Sequence, residues 1–225
     1  MKLIKKGKEK KKSEKVLVVI PARRGSKRLP HKNVLQIGGT PLAQRTIQIA
    51  KTAGLNGAKT KPFLKSQIVV TTNDPQVKNI ASIEEVECID RPEKLATDKA
   101  SAEDVIIHAV EYVDSLFTTN EFDAICLLQV TSPLLDHKTL SKALETFIEN
   151  KTLQALIAVG PDYQMCGAFY IIKKDTFLRH KSLYPKDMGI YVLSWEESQD
   201  VDTIEDFRVC QVINDHRIFF EVPLG

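Results

Sequence analysis

Between Ala22 and Asn33 the chain places five cations, Arg23, Arg24, Lys27, Arg28 and Lys32, around Gly25 and Ser26. Glycine lets a backbone approach a phosphate closely, and arginine and lysine neutralise its charge. A loop of small residues, backbone N–H groups and cations therefore suits a nucleotide triphosphate, although a basic loop can also be merely solvated. Two phosphate-binding patterns are excluded by the letters. Pro30 stands where a P-loop would need its second glycine, and no GxGxxG occurs. A second candidate constellation is Asp200 and Asp202. In an extended segment their side chains point the same way and can share one Mg²⁺. The competing reading is that Asp202 favours a helix N-terminus and Asp200 is solvated.

The basic loop needs a scaffold, and Val16 to Ile20 supplies one. Five consecutive apolar residues, four of them β-branched, predict a buried strand that ends at Pro21. Gly38-Gly39 predicts a turn. Thr40-Pro41 predicts an N-cap with proline at the first helical position, opening a helix that ends near Gly54. Residues 55 to 66 read as a surface loop. Further strands are predicted at Gln67–Thr72, Glu85–Ile89, Ala124–Val130, Ala155–Val159, Ala168–Ile172 and Ile190–Leu193. Helices are predicted after Asp74-Pro75, after Ser101, after Asp136 and after Thr203, the second and last opened by Ser-x-x-Asp and Thr-x-x-Asp patterns. Alternating strands and helices imply right-handed crossovers and a mostly parallel sheet with helices on both faces. The expected fold class is α/β, a Rossmann-like three-layer sandwich. Ligands of such sheets bind beyond the carboxyl ends of the strands, where these candidate residues would lie.

Composition narrows the class of function. Of 225 residues, 43% are hydrophobic and 27% charged, as in a soluble globular domain. No apolar run approaches the length of a membrane span. Residues 1–15 hold eight lysines against two glutamates, so the chain's formal charge of +3 is a property of that tail. The tail is expected to be disordered, with residues 16–225 forming one domain. No aromatic residue precedes Phe63, which disfavours a nucleic-acid-binding arm. Cys88, Cys126, Cys166 and Cys210 show no CxxC spacing, which argues against a zinc site and fits a reducing cytoplasm.

Four segments in order, IPARRGSKRLPHKN (Ile20 to Asn33), RPEKLATDKAS (Arg91 to Ser101), LLQVTSPL (Leu127 to Leu134) and DVDTIEDF (Asp200 to Phe207), resemble the acylneuraminate cytidylyltransferases. The resemblance implies the nucleotide-diphospho-sugar transferase type of fold. It implies transfer of CMP from CTP to a nonulosonic acid of sialic or legionaminic type, with Mg²⁺ as cofactor. Arg23, Ser26, Lys27, Lys32 and Asn33 would hold the triphosphate and ribose, with Lys32, Arg23 and Asp202 at the chemistry. Arg91, which unaided reads as an exposed loop arginine, would approach the cytosine. Ser101 would line the nucleotide and Gln129 would contact sugar or nucleotide, while Asp200 and Asp202 would hold the metal.

The chain departs from the family pattern in two places. Only GPDYQMC separates Val159 from Gly167, where members carry a longer sugar-facing and dimer-building excursion followed by a sequence close to RPNGAxY. Ala102 stands where many relatives have a hydroxyl. These departures imply a reduced sugar site and a weak homodimer or monomer. The alternative reading is a relative that binds a cytidine nucleotide with little or no turnover.

Overall fold

A computed structural model describes residues 14–55, 64–116 and 122–221. The lysine-rich tail lies outside them, except that Glu14 and Lys15 already belong to β1 (Glu14–Pro21). Val16 to Ile20 are completely buried. Each such side chain contributes roughly 1.5–3 kcal/mol on burial, so this strand anchors the fold.

The other long strands are β4 (Leu64–Thr72), β5 (Glu87–Asp90), β6 (Ala124–Leu128), β7 (Ala155–Val159), β8 (Met165–Lys173) and β9 (Met188–Val192); between β1 and β4 lie the two-residue strands β2 (Gln36–Ile37) and β3 (Thr40–Pro41). The seven long strands form one sheet in the order β5-β4-β1-β6-β8-β7-β9. Both of its faces are covered. Val16, Val18 and Ile20 pack towards α1 (Leu42–Ala50), α2 (Pro75–Ile83), α4 (His137–Glu149) and α6 (Ile204–Glu221). Leu17 and Val19 pack towards α3 (Ala102–Leu116) and α5 (Lys174–His180). Alternate side chains of one strand thus enter opposite layers, which is why the strand is apolar without a break.

β8 is the exception to the parallel order, running antiparallel to both β6 and β7. The short GPDYQMC segment explains this. Gly160 N–H donates to the Gln164 carbonyl at 2.8 Å, closing a tight turn between β7 and β8. So short a link joins only antiparallel neighbours, since a parallel crossover needs a dozen or more residues. The β7–β8 register shifts between Ile157 and Val159, and Gly167 opposite takes a φ of +76°. That is a bulge built on a left-handed residue.

The predicted start of α1 is corrected. Pro41 is not the first helical residue: Thr40 and Pro41 pair with Gln36 and Ile37 as a small hairpin. Gly38 and Gly39 both have positive φ, 56° and 78°, as the tight turn that best matches strand twist requires. The other caps agree with expectation. Asp74 accepts from Gln76 N–H at 2.9 Å, Asp136 from Lys138 N–H at 2.6 Å and Ser101 from Asp104 N–H at 3.0 Å.

Candidate active site

β1, β4, β5, β6, β7 and β9 run the same way, so their carboxyl ends share one edge of the sheet. The basic loop leaves that edge after Pro21. Ala22 is pinned to the end of β4: its N–H donates to the Thr71 carbonyl at 3.1 Å, and the Thr72 hydroxyl donates to its carbonyl at 2.5 Å. Asn33 closes the loop by donating to the Arg23 carbonyl at 2.9 Å. Within it, Arg23, Arg24, Gly25, Ser26, Lys32 and Asn33 line a concavity. Gly25, at φ +86° with open space beside it, is where a ligand could approach the backbone.

Four of the loop's five cations are held by two acids. Asp98 pairs with Arg23 and, at 2.5 Å, with Lys27. The Lys27 hydrogen bond, with that of Arg23, holds the Asp98 carboxyl below its usual range. Asp202 pairs with Arg28 at 2.6 Å and Lys32 at 2.9 Å. Lys32 is the sequestered member, its side chain 12% exposed against 67% for Arg28. The structure thus joins the first motif to the last. Asp98 sits inside the RPEKLATDKAS segment, and its part in tying down the loop was not evident from sequence, because only the folded chain sets it opposite Arg23.

Asp202 lies just before α6, but its side chain does not cap that helix. Thr203 and Asp206 form the complete capping box of α6. The Thr203 hydroxyl accepts from Asp206 N–H at 3.2 Å, and the Asp206 carboxylate accepts from the N–H groups of Asp202 and Thr203 at 3.0 and 2.8 Å. That leaves the Asp202 side chain to face the basic loop. The solvated Asp200 of the competing reading is corrected. Asp202 is 35% exposed, and Asp200 Oδ1 is fully buried with no hydrogen-bond partner. Burial pushes the Asp200 carboxyl upward, and the charge of Asp202 adds to this. Thr131 and Lys32 act in the opposite sense, although Thr131 Oγ1 itself makes no hydrogen bond within geometric limits. A buried, unpartnered carboxylate oxygen beside a second carboxylate is an arrangement that a hard divalent cation satisfies.

Other expected site residues have more structural roles. Arg91 is 6% exposed rather than an exposed loop arginine. It donates to the Thr71 carbonyl at 2.7 Å, and burial, with the nearby charge of Arg23, lowers its pKa to about 10. Ser101 uses its hydroxyl to cap α3. Gln129 follows β6 and lies against Gly167, where an added Cβ would stand 3.5 Å from its amide.

Residues 17–180 match the Cytidylyltransferase family. The N-acylneuraminate cytidylyltransferase of Streptococcus agalactiae serotype III is 30% identical over 226 aligned positions, covering 86% of this chain and 52% of that protein. The chain thus spans about half the length of the first such curated relatives. A pseudaminic acid cytidylyltransferase of Campylobacter jejuni serotype O:23/36 is 31% identical, covering 88% of this chain and 96% of the relative. The solved structure of a CMP:2-keto-3-deoxy-manno-octonic acid synthetase complexed with CTP shares the fold with a TM-score of 0.70 at 16% identity, covering 91% of this chain and 100% of the other. With residues 17–180 matched, most of its length, the chain belongs to the cytidylyltransferase family.

Proposed function

We propose that this chain transfers CMP from CTP to the anomeric hydroxyl of a nonulosonic acid. The observation that carries this reading is the convergence of the basic loop on the carboxylate pair, through Lys32 and Asp202. In the reaction, the anomeric oxygen bonds to the α-phosphorus of CTP and the bond to the β-phosphate bridging oxygen breaks. Pyrophosphate leaves and the hydroxyl proton passes to solvent. Such transfers depend on positioning and charge neutralisation more than on covalent catalysis.

Arg23, Ser26 and Lys27 cradle the triphosphate along the loop. Lys32 and Arg28, which face Asp202 here, turn part of their charge to phosphate oxygens when the nucleotide arrives. Asp200 and Asp202 would hold Mg²⁺. When bound, that ion would neutralise phosphate charge as bond order to the leaving pyrophosphate falls. Among the described residues no third His, Cys, Asp or Glu joins the pair. Oxygen ligands from substrate and water suit the remainder of a Mg²⁺ shell. Arg91, packed on Thr71 beside the loop, borders the space for the base.

The relatives matched along most of this chain are named as transferases, which gives a nucleotide binder without turnover no support. The test is pyrophosphate release from CTP and Mg²⁺ with a panel of nonulosonic acids. Release that depends on an acceptor supports the reading. A protein that shows neither release nor any CTP-dependent rise in Tm refutes it.

A further inference from the structure

A cavity of about 320 Å³ lies between α1, the segment that follows β6 and the far part of α6. Arg45, Arg217 and His137 line it, and Asp136 is the acid among its lining residues. It shares no residue with the basic loop or the carboxylate pair. Arg217 stands thirteen residues beyond Ile204, the first residue of α6, and so about 20 Å along the helix from the end that adjoins Asp202.

Neither arginine is neutralised. Arg45 donates to the carbonyls of Pro133 at 3.3 Å and Ile37 at 3.1 Å, and to the side-chain oxygen of Asn214 at 3.0 Å. Arg217 donates to the Leu134 carbonyl at 2.8 Å. All of these acceptors are uncharged, and among the described residues no carboxylate pairs with either guanidinium. Asp215 meets Arg45 only at one remove, by accepting from the Asn214 amide at 3.5 Å. The Asp136 carboxylate is engaged by Lys138 N–H at 2.6 Å, where it caps α4, and the His137 ring stands 3.6 Å from it. Burial lowers the Arg45 pKa and the charge of Arg217 lowers it further, so the two cations are close enough to oppose one another. The basic loop differs in this respect, because Asp98 and Asp202 serve there as counter-ions.

Two half-buried like charges at one cavity are costly unless an anion joins them. A pinning role accounts for the carbonyl contacts but not for a pair of uncompensated charges. A guanidinium carries five N–H donors. Arg45 uses three contacts and Arg217 one, so both keep donors for a ligand. The fork of a guanidinium matches two oxygens of a phosphate group. The positive end of α4 also meets this cavity, with no acid in its first turn.

We propose that this cavity binds a dianionic phosphate group, bridged between Arg45 and Arg217. Its volume is near the lower limit for small-molecule pockets, which suits pyrophosphate or a small phosphoester and not a whole nucleotide. Pyrophosphate would be the leaving group of the reaction above, whereas a phosphoester would be a separate metabolite. The site itself does not depend on the nucleotide reading.

The experiment is calorimetric titration of inorganic phosphate into the full chain saturated with CTP and Mg²⁺, without acceptor, so that the basic loop is already occupied. One further site is expected, with a Kd of about 1 mM or below, and chloride at matched ionic strength does not reproduce it. Arg217→Gln gives up one carbonyl contact, so its phosphate-free Tm and its CTP-dependent rise in Tm stay close to those of the unaltered protein, while phosphate binding weakens about tenfold or more. Arg217→Lys keeps a cation without the fork and binds phosphate with intermediate affinity, which a merely structural role would not produce; it carries the test should Arg217→Gln fail to fold. Pyrophosphate and glycerol 3-phosphate, titrated in the same way, tell the two sources apart by which binds more tightly. Absence of a phosphate site beyond the chloride control overturns the proposal. So does an Arg217→Gln or Arg217→Lys protein with unchanged affinity. If the chain takes up no CTP, the nucleotide reading fails by itself, and the same titration without CTP still decides this one.

Discussion

Replacing Lys32 by alanine separates a catalytic charge from a structural one. Lys32 Nζ lies 2.9 Å from Asp202 Oδ1, and its side chain is mostly sequestered. Arg28 faces the other oxygen of the same carboxylate at 2.6 Å from a far more exposed position. If the Lys32 contact were only structural, its loss would cost about 1.5–3 kcal/mol of stability, the range for a charged hydrogen bond partly out of water, with turnover of the folded protein little changed. If Lys32 also stabilises charge at the reacting phosphates, turnover should fall about 10² to 10³-fold, equivalent to about 2.7–4 kcal/mol. Arg28→Ala removes a solvated charge and should slow turnover by no more than about tenfold. Two assays decide: urea unfolding for stability, and pyrophosphate release at saturating CTP, Mg²⁺ and acceptor for turnover. Turnover of Lys32→Ala within about threefold of the unaltered protein would refute the assignment. Equal losses in Lys32→Ala and Arg28→Ala would do so as well, because the burial difference would then decide nothing.

Three further outcomes are expected. Asp200→Asn removes a buried charge whose Oδ1 has no partner, so metal-free Tm should hold or rise while Mg²⁺-dependent pyrophosphate release collapses; a large fall in Tm would show that the carboxylate is structural. Glu84 is pushed up by burial, but it accepts from Gln44 at 2.9 Å, Gln48 at 2.8 Å and Lys51 at 3.1 Å, and these hold it below the usual carboxylate range. Its contribution is therefore complete above the unfolded value of about 4.3 and lost as pH falls through the lower folded value. Glu84→Gln should cost about 1–3 kcal/mol at pH 7, and urea melts should show that gap closing on acidification. Gly38→Ala meets both a φ of +56° and the Asn214 amide at 2.9 Å, so it should cost at least about 1–2 kcal/mol in the same melts.

Much of the framework was legible because it rests on local chemistry. β7 lies where the Ala155–Val159 run predicted it, since five apolar residues between turn signals have no competing reading as a helix of useful length. The helices after Asp74, Ser101, Asp136 and Thr203 begin where side-chain oxygens can satisfy unpaired N–H groups. Where local signals compete, tertiary contacts decide. Thr40-Pro41 carries the chemistry of a helix start, but Gly38-Gly39 turns the chain back, and pairing with Gln36 and Ile37 keeps those two residues extended. Arg91 carries no sign of burial in its neighbours; it is buried because β4 brings Thr71 to it.

The alternation of strands and helices, the cationic loop after the first strand and the carboxylates two residues apart are written in the letters, because each depends on neighbouring residues or on fixed periodicity. Tertiary structure decided what those groups face. It set Asp98 against Arg23 and Lys27, and Asp202 against Arg28 and Lys32, across chain separations that no local pattern encodes. It buried Asp200 Oδ1 without a partner, which depends on the packing of several segments at once. It brought Arg45 of α1 and Arg217 of α6 to the walls of one cleft. A cleft is the space between surfaces, so it exists only once the elements on both sides are in place.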